Sequence, residues 1–175
     1  MRIAGIIIAI LLGLIGAVFA IGSALPVGHT ASVRAEYPAS ATDVYNAIAD
    51  VEASPSWRDD IDSVTVLERS PLRWRESGKF GDLTFVRMEV EPDRRIVARI
   101  ADTSQGFGGT WTYEIEPAGA GATLTITEQG EVYNALFRFM SRFVFGHYST
   151  METYARSLGQ KFGQDVTPEH VSTSG

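Results

Sequence analysis

Apolar residues in this chain follow three successive patterns, each typical of a different structure. An uncharged stretch runs from Ile3 to Leu25. Alternating apolar and polar positions then dominate from Ile61 to Val132, and a spacing of three to four follows from Tyr133 to Phe162. A period of two is typical of half-buried strands, whereas the longer period is typical of an amphipathic helix. The pattern therefore predicts a membrane helix, a sheet and a long C-terminal helix.

The first segment has the length and composition of a transmembrane helix. Its 23 residues carry no charge, and as a helix they would extend about 34 Å, slightly more than the hydrocarbon core of a bilayer. A cleaved signal peptide is the alternative, but the apolar run is longer than a signal peptide needs and continues past the candidate cleavage site at Val18–Ala20. We therefore predict an uncleaved anchor at residues 3–25. Arg2 ahead of it favours placing the domain on the outer face of the membrane, although His29 and Arg34 weaken the asymmetry.

Small residues recur within this anchor at a spacing that allows two helices to approach closely. They are Ala9, Gly13 and Ala17, with Gly16 and Ala20. Such residues are also common in spanning helices that stay monomeric, so a dimer of the anchor is only one interpretation.

The segment between anchor and sheet predicts a linker, a strand and two short helices. Residues 26–32 are polar and rich in turn formers, which is typical of a linker. A first strand from Val33 to Tyr37 is stopped by Pro38, and a helix follows with Ser40 or Thr42 as its N-cap. Six further strands come after Pro55, at residues 61–68, 72–77, 80–90, 95–102, 110–117 and 122–132. Short turns join them, as in an antiparallel meander with one solvated face.

The last apolar pattern predicts one continuous helix from Tyr133 to Phe162. Its apolar stripe contains Leu136, Phe137, Met140, Val144, His147, Met151, Tyr154 and Leu158. A helix of this length can cross a whole sheet. Residues 164–175 are polar and are expected to be a disordered tail. The folded domain is therefore predicted at residues 33–163.

The order of these elements resembles the START-like, helix-grip fold of the SRPBCC superfamily. The similarity to its polyketide cyclase/dehydrase and lipid-transport group is carried by Tyr37–Trp57, Gly109–Pro117 and Ala122–Asn134. The resemblance implies an α+β fold in which a curved antiparallel sheet wraps around a long C-terminal helix. It also implies a hydrophobic pocket between the two, but no set of catalytic residues, because members share a cavity rather than a motif.

Composition excludes several classes of function. The net charge is −6, and no cluster of lysine and arginine predicts a nucleic-acid surface. Cysteine is absent, which excludes disulfides and thiolate chemistry. His29, His147 and His170 are far apart in sequence and lack the spacing of a metal site, so we predict no metal and no cofactor. No nucleophile elbow, phosphate-binding loop or zinc-protease motif occurs, which favours binding over catalysis and leaves enzymatic activity open.

Candidate pocket residues are those in phase with the apolar faces. They are Trp74, Glu76, Met88, Trp111, Tyr113, Glu128, Met140, Val144, His147 and Met151. Glu76 and Glu128 continue the inward parity of their strands, and His147 continues the helix stripe. A carboxyl group in an apolar pocket has a raised pKa and can serve as a general acid or base. Each of the three also has a structural interpretation, because strand ends often reach solvent and a core histidine is usually hydrogen-bonded.

Three hypotheses about function follow. In the first, the anchored domain binds a hydrophobic small molecule or lipid, and the helix around Gly146 bends to admit it. In the second, a cyclase or dehydratase uses the same pocket with a carboxylate or His147. In the third, the core is filled and the domain acts through partners in the cell envelope. An apolar cavity would favour the first hypothesis, a polar constellation the second, and the absence of a cavity the third.

Overall fold

The computed structural model describes residues 2–79, 81–104 and 106–172, with no side-chain description of Arg2. Helix α1 comprises Arg2–Ala24 and is followed by strand β1 (Gly28–Tyr37), helix α2 (Ala41–Ala49) and a 3-10 helix (Val51–Ser56). Six strands follow: β2 (Ile61–Arg69), β3 (Leu72–Gly78), β4 (Gly81–Glu91), β5 (Arg95–Ile100), β6 (Phe107–Ala118) and β7 (Gly121–Val132). The chain continues with α3 (Ala135–Met140), a π-helical turn (Ser141–Phe145), α4 (Ser149–Lys161) and β8 (Glu169–Val171).

The described strands form a single antiparallel sheet in the order β2-β3-β4-β5-β6-β7-β1-β8. The α+β fold class and the six-stranded meander are therefore as predicted from the sequence. Ser40 provides the N-cap of α2, because its Oγ accepts a hydrogen bond from the Asp43 N–H at 3.1 Å.

The core lies where α2 and α4 pack on the inner faces of β1, β6 and β7. Val33, Leu124, Ile126, Met151 and Leu158 are all essentially inaccessible to solvent. The Tyr37 hydroxyl adds a buried hydrogen bond to the Ala155 carbonyl at 3.0 Å, which ties β1 to α4. This end of the domain is solidly packed, and the cavity described below lies toward the other end of the sheet.

Helix α1 stands apart from this core. The most apolar 18-residue window of this helix has a mean hydropathy of 2.9, and no residue of that window is buried in the protein. By length and composition it is able to cross a membrane.

The first strand begins earlier than predicted. Residues 28–32, expected to be linker, extend β1 and pair with β7 from Gly28 opposite Glu131 to Ser32 opposite Thr127. The Ser32 and Thr127 hydroxyls are 2.8 Å apart and hydrogen-bonded across the two strands. The linker prediction was wrong here because it took polar residues as a sign of a loop. In the structure these residues belong to a strand, and pairing with β7 satisfies their backbone hydrogen-bonding groups.

The predicted disordered tail is also partly structured. Its residues 169–171 form β8, which pairs with Ser32–Arg34 of β1. Val166 is buried, and His170 Nε2 lies 2.7 Å from Glu152 Oε1 of α4. These contacts cover the edge of β1, which would otherwise present unpaired backbone groups. Residues 173–175 of the predicted tail lie outside the described residues.

The single long C-terminal helix is interrupted. After α3 the backbone makes a π-helical turn and then breaks at Gly146, whose φ is 74°. This left-handed conformation is readily adopted by glycine and strained for other residues. The break separates α3, beside the end of α1, from α4, which packs on the core.

Candidate functional site

A cavity of about 750 Å³ opens between the sheet and the segment from α3 to the start of α4. Its wall is mostly aromatic and aliphatic, and includes Trp74, Leu83, Phe85, Ile100, Phe107, Trp111, Tyr113, Phe137, Met140 and Phe145. Ala98, Gly108 and Gly130 on the central strands also line it. At Gly108 and Gly130 the space of a side chain is taken by neighbouring residues, whereas Ala98 presents only a methyl group to the cavity. The volume falls in the range of small-molecule binding sites.

Seven of the ten predicted pocket residues line this cavity. They are Trp74, Glu76, Trp111, Tyr113, Glu128, Met140 and His147. The other three do not. Met88 and Val144 are each 58% exposed on the outer surface, and Met151 is fully buried in the core.

The position of Met88 follows from the phase of β4. The sequence prediction placed Met88 in the pocket, but the inner face of β4 carries Leu83 and Phe85. Phe85 stacks on Trp74 with 5.4 Å between ring centroids. A register irregularity between residues 87 and 89 also interrupts the pairing with β5. Apolar residues occupy both faces of β4, so alternation alone could not assign the inner one.

Val144 and Met151 were misplaced because the prediction assumed one straight helix. A π-helical turn contains more residues than the 3.6 of an α-helical turn. The residues after Met140 are therefore rotated out of the apolar stripe that faces inward. Val144 therefore faces outward. Met151 lies beyond the break at Gly146, on the face of α4 that packs in the core against the sheet.

A buried ionic network forms one end of the cavity. Arg58 donates to Glu76 Oε2 through Nη1 at 3.0 Å, and to both carboxylate oxygens of Asp60 at 2.6 and 3.0 Å. Trp74 Nε1 donates to the remaining oxygen, Oε1, of Glu76 at 3.0 Å. The guanidinium also lies 5.1 Å from the centre of the Tyr154 ring. Glu76 is therefore held by two donors and acts first as a partner for Arg58.

Sequence reasoning missed Arg58 and Asp60. They lie between the 3-10 helix and β2, outside every periodic segment. In the sequence, these charged residues directly follow Trp57. The same pattern is found in ordinary solvated turns, so it did not identify a buried ionic network.

Glu128 has a different environment. It lies on β7 opposite Trp111 of β6, and burial raises its pKa from 4.5 to about 7, although a hydrogen bond with Trp111 partly opposes that rise. The cause is desolvation of the charged form. Near neutral pH, Glu128 is therefore a carboxyl group that can either donate or accept a proton.

Two histidines stack at the cavity wall. The His29 and His147 rings are 3.9 Å apart between centroids and inclined at 27°. The His29 ring occupies the place where any side chain at position 130 would lie, so Gly130 makes room for it. Burial, then the proximity of His147, lowers the pKa of His29 to about 4. Burial, then the charge of Arg142, lowers the pKa of His147.

His29 was missed because it fell in the predicted linker. The two stacked histidines are 118 residues apart in sequence. The pairing of β1 with β7 places His29 opposite Gly130, and the segment between the π-helical turn and α4 brings His147 onto it. His170 lies elsewhere, stacked on Tyr148 and bonded to Glu152. Within the described part of the chain, no three potential ligands come together as a metal site requires.

The family described as "Polyketide cyclase / dehydrase and lipid transport" matches residues 28–158, or 131 of the 175 residues. The chain belongs to this family. The match begins at the observed start of β1 and includes the cavity and both stacked histidines. Membership supports a START-like fold of the hydrophobic ligand-binding or cyclase/dehydrase type.

Solved structures of this fold are similar to the chain. A START superfamily protein from Mycobacterium smegmatis has 20% identity and a TM-score of 0.62, over 77% of this chain and 97% of that one. Norcoclaurine synthase from Thalictrum flavum has 10% identity and a TM-score of 0.63, over 77% and 86%. The aromatase/cyclase StfQ from steffimycin biosynthesis has 13% identity and a TM-score of 0.64, over 78% of this chain and 51% of that two-domain protein. At these low identities, the structural similarity shows a shared fold alone. No curated protein is significantly similar in sequence.

The raised pKa of Glu128 makes the burial of its carboxyl group measurable as a pH dependence of stability. In the unfolded chain Glu128 ionises near 4.5, whereas in the folded chain it ionises near 7. The stability it contributes as a neutral group is fully present below pH 4.5 and is lost as the pH rises to 7. We expect Glu128→Gln to raise the free energy of unfolding by about 1–2 kcal/mol at pH 8 and by little at pH 4.5. Urea unfolding of the full chain in micelles measures both.

A matched variant separates this effect from the general loss of a charge. Glu114→Gln changes an exposed carboxylate on the same sheet. Equal stability of Glu128→Gln and the unsubstituted chain at both pH values would contradict the assigned burial of Glu128.

Proposed function

We propose that this protein binds a neutral hydrophobic small molecule or lipid in the cavity while α1 holds the domain at a membrane. The observation that carries the proposal is the cavity itself, about 750 Å³ enclosed largely by aromatic and aliphatic side chains. The wall of an apolar space of this size offers dispersion contacts to an apolar ligand. The third hypothesis, a filled core, does not fit this volume, and we do not retain it.

The anchor supports a membrane-soluble ligand. A spanning α1 keeps the domain within a short distance of the bilayer, so the cavity meets lipid-dissolved molecules at a high effective concentration. A lone charged residue before the helix favours the outer face for the domain, and we retain that orientation as part of the proposal.

The charges of the wall favour a ligand without negative charge. Among the described lining residues, the single arginine, Arg58, is accompanied by four carboxyl groups: Asp60, Glu76, Glu128 and Glu131. Arg58 is already paired with two of them. An anionic head group would therefore meet net negative charge in a region of low dielectric constant. A hydroxyl or carbonyl group is compatible, because Glu128 can donate to it when protonated and accept from it when ionised.

Apolar burial would supply most of the affinity. A ligand that buries roughly 300 Å² of apolar surface gains ~7 kcal/mol before the costs of association. The polar groups at the Arg58 end and at Glu128 would then set its orientation rather than its strength.

Fluorescence titration tests both the binding and the charge preference. Trp74 and Trp111 line the cavity, so a bound anthracene would quench them by energy transfer. We expect 9-anthracenemethanol to bind the full chain in vesicles saturably at pH 8. Its matched acid, 9-anthracenecarboxylate, should bind at least about ten-fold more weakly, because its charge must be desolvated beside carboxylates. Quenching of both probes equal to that expected from free partitioning into the vesicles would contradict the proposal.

A second candidate function is acid–base catalysis in the same cavity. Glu128 favours it, because a pKa of about 7 suits proton transfer near neutral pH. As a carboxylate it would take a proton from a carbon next to a substrate carbonyl, and as an acid it would return that proton to a departing hydroxyl group, releasing water. Against this, the three polar residues predicted to act together have separate partners: Glu76 binds Arg58, His147 stacks on His29, and Glu128 bonds with Trp111.

A further inference from the structure

An exposed apolar surface lies on the segment that closes the cavity. The segment Leu136–Phe145, called here the apolar segment, comprises most of α3 and the π-helical turn. Three consecutive large apolar residues at its end, Phe143, Val144 and Phe145, are between 58 and 64% exposed. Leu136 and Phe137 are exposed as well. An exposed run of this kind marks an interaction site rather than ordinary surface.

The apolar segment begins in contact with the end of α1. Gly22 packs so closely against the Ala135 carbonyl that no side chain would fit at position 22. Arg138 Nε donates to the Gly22 carbonyl at 2.8 Å, and its Nη1 donates to the Val132 and Tyr133 carbonyls at 3.2 and 3.1 Å. This arginine therefore joins the end of α1, the end of β7 and the start of α3.

The contact of Gly22 with Ala135 and Arg138 fixes the depth at which the apolar segment lies when α1 spans a bilayer. Gly22 lies about 30 Å along the helix from its first apolar residue, which matches the thickness of the hydrocarbon core. Ala135 is consequently at the hydrocarbon boundary when α1 spans the bilayer. Phe143 follows eight residues later, within about 12 Å along a helical path. Arg142 is exposed in the same stretch, where a guanidinium can bind lipid phosphate.

We propose that the apolar segment is seated in the interface of the bilayer that α1 spans. The inference rests on the proposed membrane anchoring and goes beyond it. Phe143, Val144 and Phe145 are continuous with the α1 contact and need an apolar phase, and the nearest one is the hydrocarbon that surrounds α1. Phe137, Met140 and Phe145 of the same segment also line the cavity. The lipid-facing element is therefore also a wall of the cavity, and a ligand can pass from bilayer to cavity beside it without crossing bulk water.

Spin labels at single cysteines test the placement, because the natural chain has no cysteine. Val144→Cys reports on the apolar segment. Met88→Cys is its matched control, since Met88 is equally exposed at 58% but lies on β4. Leu12→Cys, at 64% exposure in the middle of α1, reports on the anchor. None of the three residues lines the cavity. Each full-length variant is labelled with a nitroxide and reconstituted into vesicles of phosphatidylcholine and phosphatidylglycerol.

Collision of the label with oxygen, which concentrates in hydrocarbon, is compared with collision with a water-soluble nickel chelate. We expect the ratio of the collision rate with oxygen to that with the nickel chelate to be about five-fold or more higher at Val144 than at Met88. We also expect the Val144 label to lie at a shallower depth in the bilayer than the Leu12 label. A Val144 ratio equal to that of Met88, with Leu12 in lipid, would overturn this inference and leave the anchor intact. Leu12 in water would overturn the anchor and the inference together. A Val144 label shielded from both reagents would indicate a protein contact, such as a second copy, and would also overturn it.

Discussion

Replacing Arg58 with methionine is expected to lower the free energy of unfolding by about 3–5 kcal/mol. Arg58, Asp60 and Glu76 are nearly buried, and the guanidinium makes hydrogen bonds to both carboxylates. Methionine preserves most of the packing volume but leaves two carboxylates with no cation in an environment of low dielectric constant. Urea unfolding of the full chain in micelles, followed by circular dichroism, measures the loss.

A surface ion pair in the same protein provides the matched control. Arg69 pairs with Glu52 at 3.4 Å, and both side chains are mostly exposed. Arg69→Met should therefore change the stability by no more than about 0.5 kcal/mol. Removing the carboxylates together with the cation, as in Arg58→Met/Asp60→Asn/Glu76→Gln, should recover part of the loss. Equal effects of Arg58→Met and Arg69→Met would show that the cavity end is open to water and that its charges are solvated.

Filling the cavity at Ala98 is expected to abolish most ligand binding. Ala98 is buried on β5, lines the cavity and pairs with Trp111 of β6. A phenylalanine at this position would project its ring into space that the ligand needs. We expect Ala98→Phe to weaken binding of 9-anthracenemethanol by about 100-fold, measured by the same quenching of tryptophan fluorescence. Its stability should fall by about 1–3 kcal/mol, because Ala98 also packs in a buried cluster with Val51 and Trp74.

Met88→Phe is the matched substitution on the outer surface, since it introduces the same ring at an exposed position. It should leave the affinity unchanged. If Ala98→Phe bound the probe as tightly as Met88→Phe does, the ligand would have to lie outside the cavity.

Strand periodicity was sufficient to predict the architecture of this domain. The alternation of Trp111, Tyr113 and Ile115 on β6, and of Leu124 and Ile126 on β7, identified inner faces because polar residues occupy the other face. Glu128 shares the parity of Ile126 and indeed lies on the cavity wall. Where one face alone is apolar, the sequence specifies orientation.

The same reasoning failed wherever backbone geometry departed from a regular period. Apolar residues on both faces of β4 made Met88 ambiguous, and the π-helical turn displaced Val144 from the inward stripe. Gly146 was interpreted as a point where a continuous helix could bend, and the sequence did not indicate that the helix is interrupted there by a residue with positive φ. His29 could not be placed, because its role depends on the pairing of β1 with β7 across nearly the whole domain.

The ionic network shows a further limit. Arg58 and Asp60 lie in a short connection without periodicity. Glu76, which forms an ion pair with Arg58, was predicted as a candidate pocket residue. A sequence indicates that a carboxylate points inward, but not that a cation from another segment already binds it. The chemistry of the site is therefore less predictable than its shape.

Native mass spectrometry of the full chain, released from micelles after purification from its own host membrane, tests the central claim most directly. We expect a fraction of the chain to carry one neutral apolar molecule, and the same adduct to be missing from Ala98→Phe. Bare protein in both samples, or an identical adduct on both, would contradict the conclusion that the cavity holds a hydrophobic ligand.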